Sequence, residues 1–219
     1  MKRLFAAMTA ALMMVALVSS VAVAKTPGSS GSLIPGQWKV YNIKAATSSW
    51  DINKAQQVGT TLQFPIQQFL TKSTGSFAVY LLDNYNVSLT TSQTLSATMT
   101  WTAGPYVTRG PATDGAYVRF EFQDVTAGPY TASDYWWSTA SLDLNASTSG
   151  TLSVSLANCA LWTNMDGISA CVDTVGFANA MKNVKQLGLS FGSSGTYASG
   201  VALDDGTGTF TVLAFTVAP

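Results

Sequence analysis

One row of side chains in this chain has the residue types that recognise or transform polar ligands: Tyr117, Arg119, Glu121 and Gln123 alternate with Ala116, Val118, Phe120 and Phe122. In an extended strand residues two apart share a face, so the first four project together while the second four turn to a core. Shortly afterwards Asp134, Trp136 and Ser138 share one face of a second run, and Tyr135 and Trp137 the other. If the two strands pair antiparallel across the Gly128-Pro129 turn region, the predicted patch is Tyr117, Arg119, Glu121, Gln123, Asp134, Trp136 and Ser138. Flat aromatic faces take the axial C–H groups of a sugar ring, and neighbouring charged and amide groups take its hydroxyls. The competing reading is purely structural: a surface ion pair from Arg119 to Glu121 or Asp134, contributing little, with Trp136 half-buried beneath loops.

The inventory narrows the chemistry further. The chain has no histidine, and Glu121 is its one glutamate. Without imidazole there is no Ser-His-Asp or Cys-His nucleophile system and no HExxH zinc site. What remains for catalysis is a carboxylate pair of the kind that cleaves glycosides, which needs a separation of about 5 to 9.5 Å. Glu121 with Asp134 is the pair the pattern motivates, but strand carboxylates facing solvent are ordinarily solvated, so binding is favoured over catalysis. A second candidate site lies in loops: Trp162, between Cys159 and Cys171, and Tyr197 could stack on a glycan, unless Trp162 plugs the end of the fold. Trp38, Trp101 and Trp137 fit core positions by parity. No cofactor or metal site is predicted; Asp204 and Asp205 offer carboxylates to calcium, yet Asp205-Gly206 reads as a tight turn without it.

The elements that position these residues start after an export signal. Lys2 and Arg3 precede an uncharged stretch from Leu4 to Val18, followed by the small-x-small sequence Ala22-Val23-Ala24. That pattern predicts a signal peptide over residues 1–24 and a mature protein with no membrane span, secreted or periplasmic. In an oxidising compartment Cys159 and Cys171 are expected to form a disulfide. Removing Lys2 and Arg3 from the 11 basic residues leaves 9 against 11 acidic ones, so nucleic acid and anionic membranes are poor partners. Charged residues make up only 10% of the chain and Ser, Thr, Asn and Gln fill the polar positions, which suits a neutral poly- or oligosaccharide or an envelope or matrix protein.

Residues 25–36 read as a flexible leader rich in Pro, Gly and Ser, and 37–219 as one domain. Within it apolar and polar residues alternate repeatedly: Leu95, Ala97, Met99 and Trp101 against Thr94, Ser96, Thr98 and Thr100, then Leu152, Val154 and Leu156 against Thr151, Ser153 and Ser155. Further strands are predicted at 38–43, 76–82, 116–123, 134–139, 141–145, 186–192, 200–203 and 208–217. Phe177, Ala180, Met181 and Val184 instead recur at helical spacing after a capping Asp173, which predicts a short helix over 175–183. In the last strand Phe210 and Val212 have one parity and Leu213, Phe215 and Val217 the other, so the strand either carries a bulge or is buried on both faces. The class is all-β, a two-sheet antiparallel sandwich of jelly-roll type.

The segments Thr94-Leu95-Ser96-Ala97-Thr98-Met99-Thr100, Tyr135-Trp136-Trp137-Ser138, Phe177 to Val184, Leu187-Gly188-Leu189-Ser190-Phe191-Gly192 and Thr209 to Val217 together resemble secreted bacterial jelly-roll proteins related to galactose-binding-like carbohydrate-binding modules. The resemblance is one of fold and carries over no ligand residue. It implies a β-sandwich that binds on a concave sheet face or at loop tips. Three functions are consistent with the whole: a non-catalytic glycan-binding module, a structural or interaction protein of the envelope or matrix, and, least favoured, a carboxylate-dependent glycan-degrading enzyme.

Overall fold

The computed structural model describes residues 37–44, 47–68, 75–109, 115–125 and 128–219. The predicted signal peptide and leader lie outside them. Two antiparallel sheets face each other, with strands numbered in chain order. The larger runs through β12 (Trp162–Asn164), β9 (Tyr135–Ser138), β8 (Tyr117–Gln123), β13 (Gln186–Gly192), β5 (Ser76–Asn84), β1 (Trp38–Lys44) and β2 (Trp50–Lys54). Beside β8 lies β10 (Leu142–Asp143), and β14 (Val201–Leu203) joins β5 to β7 (Tyr106–Thr108). The smaller sheet is β11 (Ser149–Ser155), β6 (Thr94–Trp101), β15 (Gly208–Ala218), β4 (Thr61–Ile66) and β3 (Gln56–Val58).

Alternation explains the smaller sheet directly. Leu95, Ala97, Met99 and Trp101 of β6 are buried, and their polar neighbours face outward, where Thr98 and Thr151 share a hydroxyl hydrogen bond of 3.0 Å. Between the sheets the core is built from edge-on aromatic pairs: Trp38 on Phe215 (5.1 Å between ring centres), Phe191 on Phe210 (5.1 Å) and Phe120 on Phe215 (5.7 Å). Each pair joins a strand of one sheet to a strand of the other.

Two bulges correct what simple parity suggests. In β15 the register against β6 shifts between Val212 and Ala214, leaving Leu213 unpaired and 41% exposed, so the bulge is the answer to that strand's double parity. In β5 the register against β1 jumps from Tyr41↔Tyr80 to Asn42↔Ala78, with Val79 as the extra residue. That insertion puts Tyr80 on the outer face with Phe77 and Val79, whereas unbroken alternation would place it with Ala78 in the main core.

The one α-helix among the described residues, α1 (Thr174–Lys182), is capped as predicted: the Asp173 side chain accepts from the Gly176 amide at 2.9 Å. Its buried face, Phe177, Ala180 and Met181, closes one end of the sandwich, with Phe177 against Trp136 (4.9 Å), Phe122 (5.7 Å) and Trp162 (6.0 Å). Cys159 and Cys171 form the expected disulfide, 12 residues apart, tying β12 to the approach to this helix. Closing a loop of that length stabilises the fold by about 3 kcal/mol in the chain-entropy treatment. The Cys159→Ala/Cys171→Ala double variant is therefore expected to unfold with a free energy lower by about that amount in a denaturant titration; an unchanged midpoint would mean that packing alone holds the loop.

Candidate functional site

The polar row of β8 is where the alternation places it, on the outer face of the larger sheet, but that face is buried. Neighbours flank β8 on both sides, β13 paired through Gly188↔Glu121 and Ser190↔Arg119, and β9 through Glu121↔Trp137 and Gln123↔Tyr135. Arg119 is 2% exposed; its guanidinium donates to the Ser193 carbonyl at 2.8 Å and lies 4.1 Å from the centre of the Tyr197 ring, with Tyr117 at 5.7 Å. Burial lowers its pKa to about 10, with Tyr197 and Tyr117 opposing the shift. The cation is thus held by π faces and a backbone carbonyl, in place of the surface ion pair that sequence alone allows.

Glu121 is wholly buried, and neither carboxyl oxygen has a hydrogen-bond partner among the described residues. Burial pushes its pKa well above the ordinary value, opposed in part by the nearby Trp137 indole N–H, which itself lies outside hydrogen-bond geometry. Glycine at 188 leaves the position directly across from this carboxyl without a side chain; a Cβ there would run into the Leu81 carbonyl of β5.

The register corrects the rest of the predicted patch. Phe122 pairs with Trp136, so Trp136 lies on the inner face, fully buried, donating from Nε1 to the Ser133 carbonyl at 2.7 Å. Ser138 is inside too, and its hydroxyl accepts from the Phe120 amide (3.0 Å) and donates to the Ala140 carbonyl (2.7 Å). Asp134 ends a 3-10 turn and spends its carboxylate on the Thr131 amide. The residues brought beside Glu121 and Gln123 are instead Trp137 and Tyr135; Trp137 faces outward rather than into the core, while Trp38 and Trp101 are core as predicted. With Glu121 sealed and Asp134 committed to a turn, the carboxylate pair is not presented to any ligand. The loop site separates as well: Trp162 is core, bonded to the Ser155 carbonyl at 3.0 Å, while Tyr197 lies over Arg119 on the other face.

What the outer face presents is a groove of about 760 Å³. Its apolar part is set by Trp50 stacked on Tyr80 (6.0 Å, 19°) and by Tyr135 stacked on Trp137 (5.9 Å, 13°), with Ile52, Tyr130 and Met165 at the rims. The other end is polar: Gln186 donates to the Tyr41 hydroxyl at 2.9 Å, with Asn84, Asn86, Gln123, Lys39 and Lys185 around it. A smaller hollow of about 300 Å³ shares Tyr80, Trp137 and Met165 and extends to Tyr197. Burial, then Glu121, raises the Tyr80 pKa; burial, then Tyr130, raises that of Tyr135, so both stay neutral hydroxyls.

No family model matches the chain, and no curated protein matches it. The site therefore rests on its own geometry. Among the described residues no three carboxylate or thiol side chains gather as a metal site, and Asp205 accepts from the Gln68 amide at 2.9 Å. Sequence reasoning missed Tyr41, Trp50, Tyr80, Tyr130 and Gln186; the available signal was the alternation of Trp50 and Ile52 with Asp51 and Asn53.

Glu121 has a measurable signature. Because its folded pKa is raised, the folded state keeps a proton that the unfolded chain loses above about pH 4.5, the ordinary glutamate value. Its contribution is thus full below that pH and lost as pH rises toward the folded pKa. Glu121→Gln is expected to flatten the fall of unfolding free energy above about pH 4.5 and to gain on the wild type as pH rises. Parallel pH profiles for the two proteins would mean that the carboxyl is solvated.

Proposed function

We propose that the chain is a secreted, non-catalytic carbohydrate-binding β-sandwich whose ligand lies along the groove on the outer face of the larger sheet. The observation that carries this is the half-exposed Trp50, 51% accessible and held flat on Tyr80, in one groove with the stacked Tyr135–Trp137 pair and with the Gln186, Asn84 and Tyr41 polar groups toward its other end. Flat apolar faces beside amides and hydroxyls suit a glycan's alternation of C–H faces and hydroxyl edges. The apolar leader ending in Ala22-Val23-Ala24 and the Cys159–Cys171 disulfide support export, and the fold-level resemblance to carbohydrate-binding modules supports the ligand class. One further observation favours a protein partner: Met165, Ile168, Val172 and Val175 expose apolar side chains in and just beyond the disulfide loop.

Trp50→Ala is the cleanest test, since an exposed rim residue can be truncated with little cost to the core. Retention of the mature protein on an insoluble polysaccharide panel is expected to fall about tenfold or more in Trp50→Ala, with the melting temperature nearly unchanged. Retention that survives the substitution would move the site off the groove; absence of retention on every polysaccharide, with self-association through the Val172–Val175 surface, would favour the protein-interaction reading.

A further inference from the structure

Whole-chain charge hides how the groove itself is charged. Among the described residues its lining contains two lysines, Lys39 and Lys185, and no carboxylate. Glu121 lies beneath it, fully buried and not among its lining residues, and burial pushes its pKa up. Both lysines are at the polar end, among Asn84, Asn86, Gln123 and Gln186, away from Trp50 and Tyr80 along the strands.

The register gives their spacing. Lys39 sits across β5 from Gly188, through Leu82, and Lys185 precedes Gly188 by three residues. Two strand spacings of about 4.8 Å and three residues of about 3.4 Å put their Cα atoms about 14 Å apart, a gap that two lysine side chains can close from either side of a bound ring. Lys39 also pairs directly with Lys54 on β2. A like-charge pair in direct register destabilises a sheet unless an anion relieves it. Acids near this end include Asp83, buried across from Leu187, together with Asp124 and Asp134: burial and Asp134 push the Asp124 carboxyl up while Lys185 draws it down. None of these three acids is among the described residues that line the groove.

We infer that the groove selects glycans carrying anionic substituents, carboxylate or sulfate, with the sugar faces on the Trp50 and Tyr135–Trp137 aromatics and an anionic group between Lys39 and Lys185. This rests on the glycan-binding reading and sharpens it, replacing the neutral ligand that overall composition suggests.

The test compares the mature protein on polygalacturonate and alginate (carboxylate), a sulfated galactan (sulfate), neutral galactan and xylan, and polyglutamate, a polyanion without sugar. Affinities come from tryptophan fluorescence at two salt concentrations. The expected result is that one acidic polysaccharide class binds at least about tenfold tighter than its neutral counterpart, the two classes showing which anion is read. The acidic-to-neutral ratio is expected to fall about tenfold in Lys39→Gln/Lys185→Gln, the size that two partly exposed charge contacts carry together. Equal binding of acidic and neutral polymers, or a ratio that the lysine variant leaves intact, would overturn the inference while leaving a glycan module. Polyglutamate binding as tight as the acidic polysaccharides, insensitive to Trp50→Ala, would overturn it as bare charge attraction. Binding to none of the polymers would overturn the glycan reading and this inference together.

Discussion

Burial of both faces of the larger sheet at its centre is the constraint on which the rest of this structure depends. β13 has no exposed residue, and β5 and β8 are buried along nearly their whole length. The inner face is covered by the smaller sheet; part of the outer face is covered by the segment that carries Tyr197 and Ala198, with Tyr197 over Arg119 and beside Trp137, and Ala198 packed against the cluster of Ile43, Phe77, Val79 and Ala202. Where this second cover stops, the outer face still bears large aromatic side chains, with no further layer above them among the described residues. The groove is that uncovered strip. Tyr41, Tyr80, Tyr135 and Trp137 stand on strands with hydrogen-bonded neighbours on both sides, whereas Trp50 stands on the edge strand β2 and is backed by the ring of Tyr80.

The same burial sets the electrostatics. Arg119 and Glu121 are two residues apart on one strand face, yet the cation meets the Ser193 carbonyl and the Tyr197 ring while the carboxyl has no hydrogen-bond partner among the described residues. A carboxyl so placed is held as the neutral acid, because ionising it would bury an unpaired charge. Among the described residues, the groove above consequently takes its charge from Lys39 and Lys185, set among aromatic and amide side chains. This arrangement differs from the solvated polar row that alternation by itself would suggest.

Much of the fold is legible in the residues. β6, β8 and β11 follow from strict alternation, α1 from a capping aspartate followed by helical spacing, and the disulfide from two cysteines behind an export signal. The strands from Trp50 to Ile66 are not: β2 is short and mostly polar, and Pro65 interrupts the reading of β4, although it is accommodated opposite Thr209. The site was half legible. Parity within 134–138 correctly separates Trp136 from Trp137, but which of them stands beside Glu121 depends on the β8–β9 register, and a one-residue choice exchanges the faces. Tyr80 was hidden for a related reason, since the extra residue Val79 reverses its parity.

Six tryptophans report on these assignments separately: Trp38, Trp101, Trp136 and Trp162 lie in the core, Trp137 in the groove floor and Trp50 at its rim. The most direct measurement is a titration of the mature protein with an acidic oligosaccharide, followed by NMR of the assigned indole N–H resonances. The expected result is a saturable shift of Trp50, accompanied by Trp137, while the four core signals stay in place. Shifts confined to Trp162 or Trp136, or no indole shift at saturating ligand, would contradict a binding groove on the outer face of the larger sheet.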